Sequence, residues 1–329
     1  MRIEPSMIHP ELRKTGAFIR LVLPSYTLRK FRMAGVLINT AKGKCRSKLN
    51  YTQQYIPRGD GTRLRVCIYS PASPQKNVPG LLWMHGGGYA FGTPELDELF
   101  IKRFIEASGC VVMAPDYRLS TDEPYPAALE DCYTALVWMK NHSGDYGIRA
   151  DQLLIGGDSA GGGLTAALSL YARDKNEVAI AFQMPLYPML DDRMNTPSAT
   201  DNDAPLWNSK SNEIAWRLYL GQLFGKPNIP AYAAPARAET LANLPPACSF
   251  VGSLEPFRDE TVAYMERLRA SGTPVDFKVF EGCFHGFDVA CRRTAIAKQA
   301  AAFMLAAFRH AVANYFAQQP DAGSNKVPQ

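Results

Sequence analysis

The pentad Gly157-Asp-Ser-Ala-Gly161 constrains this chain more than any other stretch of its 329 residues. It fits the G-x-S-x-G pattern, in which a serine stands on a sharp turn between a strand and a helix. The flanks supply that context. Gln152-Leu-Leu-Ile-Gly156 is a short apolar run, and Leu164-Thr-Ala-Ala-Leu-Ser-Leu-Tyr-Ala-Arg173 reads as a buried helix. Glycine is needed at 157 and 161 because strand and helix pack closely around Ser159, and a side chain there would collide. The turn leaves the Ser159 hydroxyl exposed at the carboxyl end of a sheet, with the Ala160 N–H aimed where a carbonyl oxygen would sit. Five residues alone recur in inert turns. A second string, His85-Gly-Gly-Gly88, follows the strand-like Pro79-Gly-Leu-Leu-Trp-Met84 and makes the pair specific.

Acyl transfer through a tetrahedral intermediate places negative charge on the former carbonyl oxygen, which preorganised backbone N–H groups stabilise. Consecutive glycines let the backbone present such groups without a Cβ in the way. Gly87 and Gly88, with Ala160, are the candidate oxyanion hole. A plain tight turn is the bland alternative. A phosphate loop is disfavoured, since neither G-x-x-x-x-G-K-[ST] nor a convincing G-x-G-x-x-G is present.

An activated serine needs a base, and the base needs an orienting carboxylate. In folds built around this turn they follow in the order serine, acid, histidine. Of His9, His85, His142, His285 and His310, only the last two follow Ser159. His310 lies in a long helical pattern from Arg293 to about Phe316, whereas His285 lies in a loop after the strand-like Val275–Phe280. His285 is therefore the candidate base. Glu255 stands just beyond the strand-like Ala247–Val251, where a third member belongs. Asp259 and Glu260 fall in the first turn of the next helix, where the helix dipole already accounts for acids. Position favours Glu255, with Asp259 the open alternative.

With these residues in place the chain resembles the hormone-sensitive-lipase-like esterases, the bacterial family IV group of α/β-hydrolases. The resemblance rests on His85-Gly-Gly-Gly88, Asp116-Tyr-Arg-Leu119 with Pro124-Tyr-Pro126, Gly157-Asp-Ser-Ala-Gly-Gly162, Leu186-Tyr-Pro188, Glu255-Pro-Phe-Arg-Asp-Glu260 and His285-Gly-Phe287. These run in family order over about residues 50–290. Two strings depart from the pattern. Glu255 stands where the family usually has Asp, and Ser120-Thr-Asp-Glu123 interrupts a segment that resembles a structural loop behind the site. Asp158, beside the serine, is assigned a supporting hydrogen bond. The resemblance implies a serine carboxylesterase acting on short- to medium-chain acyl esters through an acyl-enzyme. Alternatives are an amide or formamide hydrolase with the same triad, and a non-catalytic receptor for a small ligand. His285 is present, which argues against the receptor.

The implied fold class is α/β: a mostly parallel, doubly wound sheet of about eight strands with a helical cap. Apolar runs near 51–56, 65–69, 81–85, 110–114, 153–156, 179–184, 247–251 and 275–280 supply the strands. Asp60-Gly61 reads as a hairpin turn, so the sheet starts antiparallel. Helical patterns intervene from Thr93-Pro94 (N-cap then Pro) to Ser108 and over 127–141, 159–173 and 258–270. Residues 1–48 and 190–222 stand outside the alternation and, by resemblance, fold together as a cap. Trp207, Trp216 and Tyr219 either line its pocket or pack it on the core. Residues 49–189 and 223–318 form the two parts of the core, and 319–329 read as a frayed tail.

The formal net charge is +5, yet residues 1–50 alone hold 11 Lys/Arg and two acids. Arg13, Lys14, Arg20, Arg29 and Lys30 fit the solvated face of cap helices better than a membrane contact, although basic helices do bind anionic surfaces. No nucleic-acid motif accompanies the charge. The sequence indicates neither a signal peptide nor an apolar run long enough to span a bilayer. Seven cysteines without regular spacing fit reduced thiols, and so a cytoplasmic location. No metal-ligand spacing and no cofactor motif is present, and Cys283, near His285, reads as a packing residue. The oligomeric state is not encoded in any readable pattern.

Overall fold

The computed structural model describes residues 1–73 and 75–320. Eight strands form one sheet in the order β1-β2-β4-β3-β5-β6-β7-β8. They are β1 (Asn50–Pro57), β2 (Arg63–Ser70), β3 (Val78–Met84), β4 (Val111–Pro115), β5 (Ile148–Asp158), β6 (Phe182–Leu186), β7 (Ala247–Gly252) and β8 (Val275–Phe280). The hairpin at Asp60-Gly61 makes β1 antiparallel to β2, and β2 is antiparallel to β4 as well. From β4 onward every pairing is parallel. Each parallel step needs a crossover. The helices α3 (Glu98–Ser108), α4 (Ala127–Asn141), α5 (Ala160–Lys175) and α7 (Arg258–Ala270) supply four, and the long 187–246 segment connects β6 to β7. Helix α6 (Ser209–Leu220) lies in the 190–222 segment, and α8 (Phe287–Ala290) and α9 (Ala295–Asn314) close the chain.

Alternate side chains of the central strands feed opposite faces of the sheet. Leu82 and Met84 of β3 pack with residues of α4 and α5, while Leu81 and Trp83 pack with Phe100 and Phe104 of α3 and Phe308 of α9. Both faces are therefore covered, which is why the strands read as continuous apolar runs. No helix among the described residues is long and apolar enough to cross a membrane.

Three details differ from the sequence reading. Pairing of β6 begins at Leu154↔Phe182, so the front of its apolar run, Ala179 to Ala181, serves as a lead-in from α5, buried only at Ala181. Thr93 holds the N-cap position with Pro94 after it, as expected, but of a 3-10 helix, Pro94–Asp97; its hydroxyl makes no capping bond, and α3 starts only at Glu98. That turn carries Asp97 under the sheet, where Trp83 Nε1 donates to it at 2.8 Å. Finally, Gln319 is anchored rather than frayed: its Nε2 donates to the carbonyls of Ala150 and Ala179, each at 2.9 Å. The rest of the expected tail, 321–329, lies outside the described residues.

The two segments outside the alternation touch each other. Within residues 1–48 lie α1 (Arg13–Val22) and α2 (Leu28–Asn39). Ser211 Oγ accepts from the Tyr26 N–H at 2.9 Å, and Asn208 Nδ2 donates to the Pro24 carbonyl at 2.7 Å. Tyr26 and Phe31 of the first segment pack against Phe91 and against Trp207 of the second, ring centroids 5.4–6.1 Å apart.

Candidate active site

Strand β5 ends at Asp158 and α5 begins at Ala160, so Ser159 must turn the chain alone. It does so at φ 55°, ψ −116°, a conformation that costs energy for any residue with a Cβ. Surrounding bonds hold it there. The Ser159 N–H donates to the Leu186 carbonyl at 2.9 Å, and the Ser159 carbonyl accepts from Gly163 at 3.0 Å and Met189 at 3.1 Å. The flanking glycines are required by contact. A Cβ on Gly157 would lie 2.4 Å from the Met84 carbonyl oxygen, and one on Gly161 only 2.0 Å from the same atom.

The structure brings Ser159, His285 and Glu255 together across 126 and 30 residues of chain. His285 Nδ1 lies 2.5 Å from Glu255 Oε2, and its Nε2 lies 2.8 Å from Ser159 Oγ. A carboxylate can only accept, so Nδ1 carries the proton and Nε2 is free to accept from the serine hydroxyl. Glu255 is completely buried, and its other oxygen accepts from the Gly252 N–H at 2.5 Å. Both oxygens of the longer Glu side chain are thus paired, one with His285 and one with Gly252. The acid and histidine loops are tied to each other: the Leu254 N–H donates to the Cys283 carbonyl at 3.0 Å, and Gly282 N–H to Ser253 Oγ at 2.8 Å. The rings of Tyr187 and Phe257 meet the imidazole edge-on at 5.1 Å.

Asp259, the open alternative, faces elsewhere. Its carboxylate accepts from the Ser198 N–H at 2.8 Å and pairs with Arg258 at 2.6 Å, anchoring the 190–222 segment. Glu260 lies in the first turn of α7, as expected, but it is buried and accepts the Leu190 N–H at 2.7 Å. His310 is exposed on α9. Cys283 is buried, and burial pushes its thiol pKa up.

Gly87 and Gly88 follow β3 with φ of +120° and +59°, the left-handed half of the map that favours glycine. Among the described residues neither N–H donates to a protein acceptor, and the Ala160 N–H precedes the first intrahelical bond of α5. Free donors at a helix start and a glycine loop can hold an oxyanion. Gly88 has a second constraint, since its Cβ would lie 2.4 Å from the Trp207 ring. Trp207 therefore lies against the glycine loop, with its centroid 6.1 Å from that of His285. Trp216 and Tyr219 instead pack on Tyr89, Tyr219 stacking at 3.8 Å.

The loop itself is braced from behind. Tyr117 of the Asp116-Tyr-Arg-Leu119 string donates its hydroxyl to the His85 carbonyl at 2.7 Å and stacks on the His85 ring at 4.2 Å. Burial pushes the His85 pKa down to about 4, so this histidine is a neutral structural group.

A buried cluster of acids lies under the elbow. Asp97 and Asp158 lie close to each other, and burial raises Asp97 to about 6 and, with the Asp97 charge, Asp158 well above the usual carboxylate range. Two buried carboxyls in contact keep a proton between them. Asp158 Oδ2 also lies 2.6 Å from where a Gly86 Cβ would stand, so the pair sits against the glycine loop. Asp288 joins them, raised to about 7 by burial and by the Asp158 charge. The sequence pattern singled out Asp158 but offered no sign of Asp97 or Asp288, whose approach depends on the 3-10 turn and on the loop after His285.

Comparison with known proteins identifies the family. Residues 81–289 match the family described as the alpha/beta hydrolase fold. Esterase LipI of Mycobacterium tuberculosis is 35% identical over 229 residues, covering 69% of this chain and 70% of the relative. Carboxylesterase NlhH of the same species is 31% identical over 231 residues, covering 69% and 72%. A solved structure titled bacterial heroin esterase superposes with a TM-score of 0.85 at 33% identity, over 93% of this chain and 98% of that one. The chain belongs to the α/β-hydrolase family, within its hormone-sensitive-lipase-like branch.

Proposed function

We propose that the protein is a serine carboxylesterase acting on short- to medium-chain acyl esters. The observation that carries this reading is the unbroken line Ser159 Oγ–His285 Nε2 at 2.8 Å and His285 Nδ1–Glu255 Oε2 at 2.5 Å. Ser159 attacks the ester carbonyl as His285 takes its proton, and Glu255 stabilises the imidazolium. Gly87, Gly88 and Ala160 donate to the oxygen that becomes negative. His285 returns the proton to the departing alcohol, leaving an acyl-enzyme. It then takes a proton from water, whose oxygen attacks the acyl carbon and releases the acid. Relatives named esterase and carboxylesterase support ester over amide substrates.

The segments 1–48 and 190–222 act as a cap on the core, and Trp207 forms one wall of the acyl site. Ser159 and His285 are each 5% exposed, which suits a substrate with a short or medium chain rather than a bulky aggregate. Seven free thiols, six of them buried, suit a reducing compartment and a cytoplasmic location. Hydrolysis of a p-nitrophenyl ester series from acetate to palmitate, with Ser159→Ala as control, tests the reading. Serine-dependent turnover that peaks at a short or medium chain is the expected result. An absence of turnover on every ester from folded protein contradicts it.

A further inference from the structure

The outward face of the N-terminal helices has no role in the chemistry at Ser159, and it is unusually apolar. On α2, Leu28, Met33, Val36 and Leu37 are all exposed, Val36 and Leu37 at 71% each. Phe31 on the opposite side of the same helix is fully buried among Tyr26, Phe91 and Trp207. A helix apolar on both sides is ordinarily covered on both sides. On α1, Phe18, Leu21 and Val22 are likewise exposed, Leu21 at 81%. A groove of about 720 Å³ runs along the outer face of α2, with Arg29 and Arg32 among its lining residues.

Charge selects the occupant. Residues 1–50 carry 11 Lys/Arg against two acids, and Lys14, Arg29 and Arg32 are exposed beside the apolar side chains. Among the described residues none of these three is ion-paired. A second copy docking by two-fold symmetry would set one basic face against another. Short basic helices with exposed aliphatic and aromatic side chains suit an anionic lipid surface, where the cations meet headgroups and the apolar groups enter the acyl boundary. We propose that the outer face of α1 and α2 docks on anionic lipid bilayers. Phe31, beneath that face, stacks near Trp207, which lies on Gly88. If the esterase reading holds, a medium-chain ester dissolved in the bilayer is thus presented one helix away from the glycine loop.

Co-sedimentation of the full chain with vesicles tests docking independently of turnover. The vesicles are phosphatidylcholine alone or mixed with phosphatidylglycerol, each at low and high salt. Binding to the anionic vesicles is expected, weaker by roughly tenfold or more on zwitterionic ones and reduced by salt. Val36→Asp with Leu37→Asp, and separately Arg29→Glu with Arg32→Glu, are each expected to abolish it with the melting temperature unchanged, because all four side chains are exposed. Ser159→Ala is expected to bind like the unaltered chain, so loss of catalysis leaves the docking result readable. Absence of anionic-vesicle binding overturns the proposal, as does binding that survives both double substitutions. A concentration-dependent dimer in sedimentation velocity, lost in Val36→Asp/Leu37→Asp and unaccompanied by vesicle binding, also overturns it by giving the face to a second copy.

Discussion

Helix α5 and the N-terminal helices α1 and α2 solve opposite problems with similar lengths of chain. Twelve of the sixteen residues of α5 are buried, whereas α1 and α2 bury one each, Gly16 and Phe31. In α5 even glycines are wedged against backbone, as Gly161 is against Met84. In α2, Gly35 has no atom within 4 Å of the place its Cβ would take. The elbow thus gains its strained serine from a jigsaw in which every neighbour is fixed. The N-terminal pair is attached through a few anchors (Phe31, Gly16 against Phe284, and the bonds at Pro24 and Tyr26) and can differ in surface without disturbing the chemistry.

Substitutions that strike the elbow should have the largest effects. Ser159→Ala or His285→Ala is expected to lower ester turnover by roughly 10⁴–10⁶ while the melting temperature stays close to that of the unaltered protein. Glu255→Gln keeps the shape but removes the charge that orients His285, so a drop of about 10²–10⁴ in kcat is expected. Asp259→Asn, in contrast, touches Ser198 and Arg258 rather than His285. Steady-state kinetics should show a change within about threefold, since exposed or remote polar contacts contribute little to the reacting centre.

Stability changes should separate the same two regions. Gly161→Ala forces a Cβ to 2.0 Å from a carbonyl oxygen, so chemical denaturation should reveal a loss of about 3 kcal/mol or more, or failure to fold. A smaller effect is expected from the acids beneath the elbow. Asp288 is raised from 3.8 to about 7, so the folded state holds a proton that the unfolded chain has released. Its contribution is complete below pH 4 and is lost as pH rises toward 7. Asp288→Asn should therefore lose less stability than the unaltered protein across that window, read from melting temperatures at successive pH values. At the far end, Gly35→Ala in α2 meets open space and should stabilise the protein by up to about 1 kcal/mol. A loss instead would mean that α2 is packed more tightly than its exposed outer face indicates.

The contrast also sets what was legible in the sequence. The central strands β3, β4, β6 and β7 can be read as apolar runs because burial on both faces leaves no polar side to interrupt them, whereas the edge strands β1 and β8 keep an exposed side. Ser159 and His285 follow from glycine patterning and chain order, and Glu255 from its place just past β7. Asp259 and Glu260 are adjacent in sequence to a site acid, yet the first turn of α7 aims them at Ser198 and Leu190. Long-range partners were not readable. Asp97 reaches Asp158 only because Pro94–Asp97 winds as a 3-10 turn, and Gln319 is held by carbonyls more than a hundred residues away. The exposure of Leu21, Val36 and Leu37 on α1 and α2 is not legible either, because a sequence alone does not show which face of a helix has a neighbour.

The most direct measurement is covalent labelling by an organophosphate, followed by intact-mass and peptide mass spectrometry. Attack by Ser159 on phosphorus, with loss of the leaving group, should give one adduct per chain located on Ser159. No adduct should form in His285→Ala, and labelling of Glu255→Gln should be slow. An unlabelled but folded protein, or an adduct on another residue, would contradict the claim that Ser159, His285 and Glu255 form an activated nucleophile.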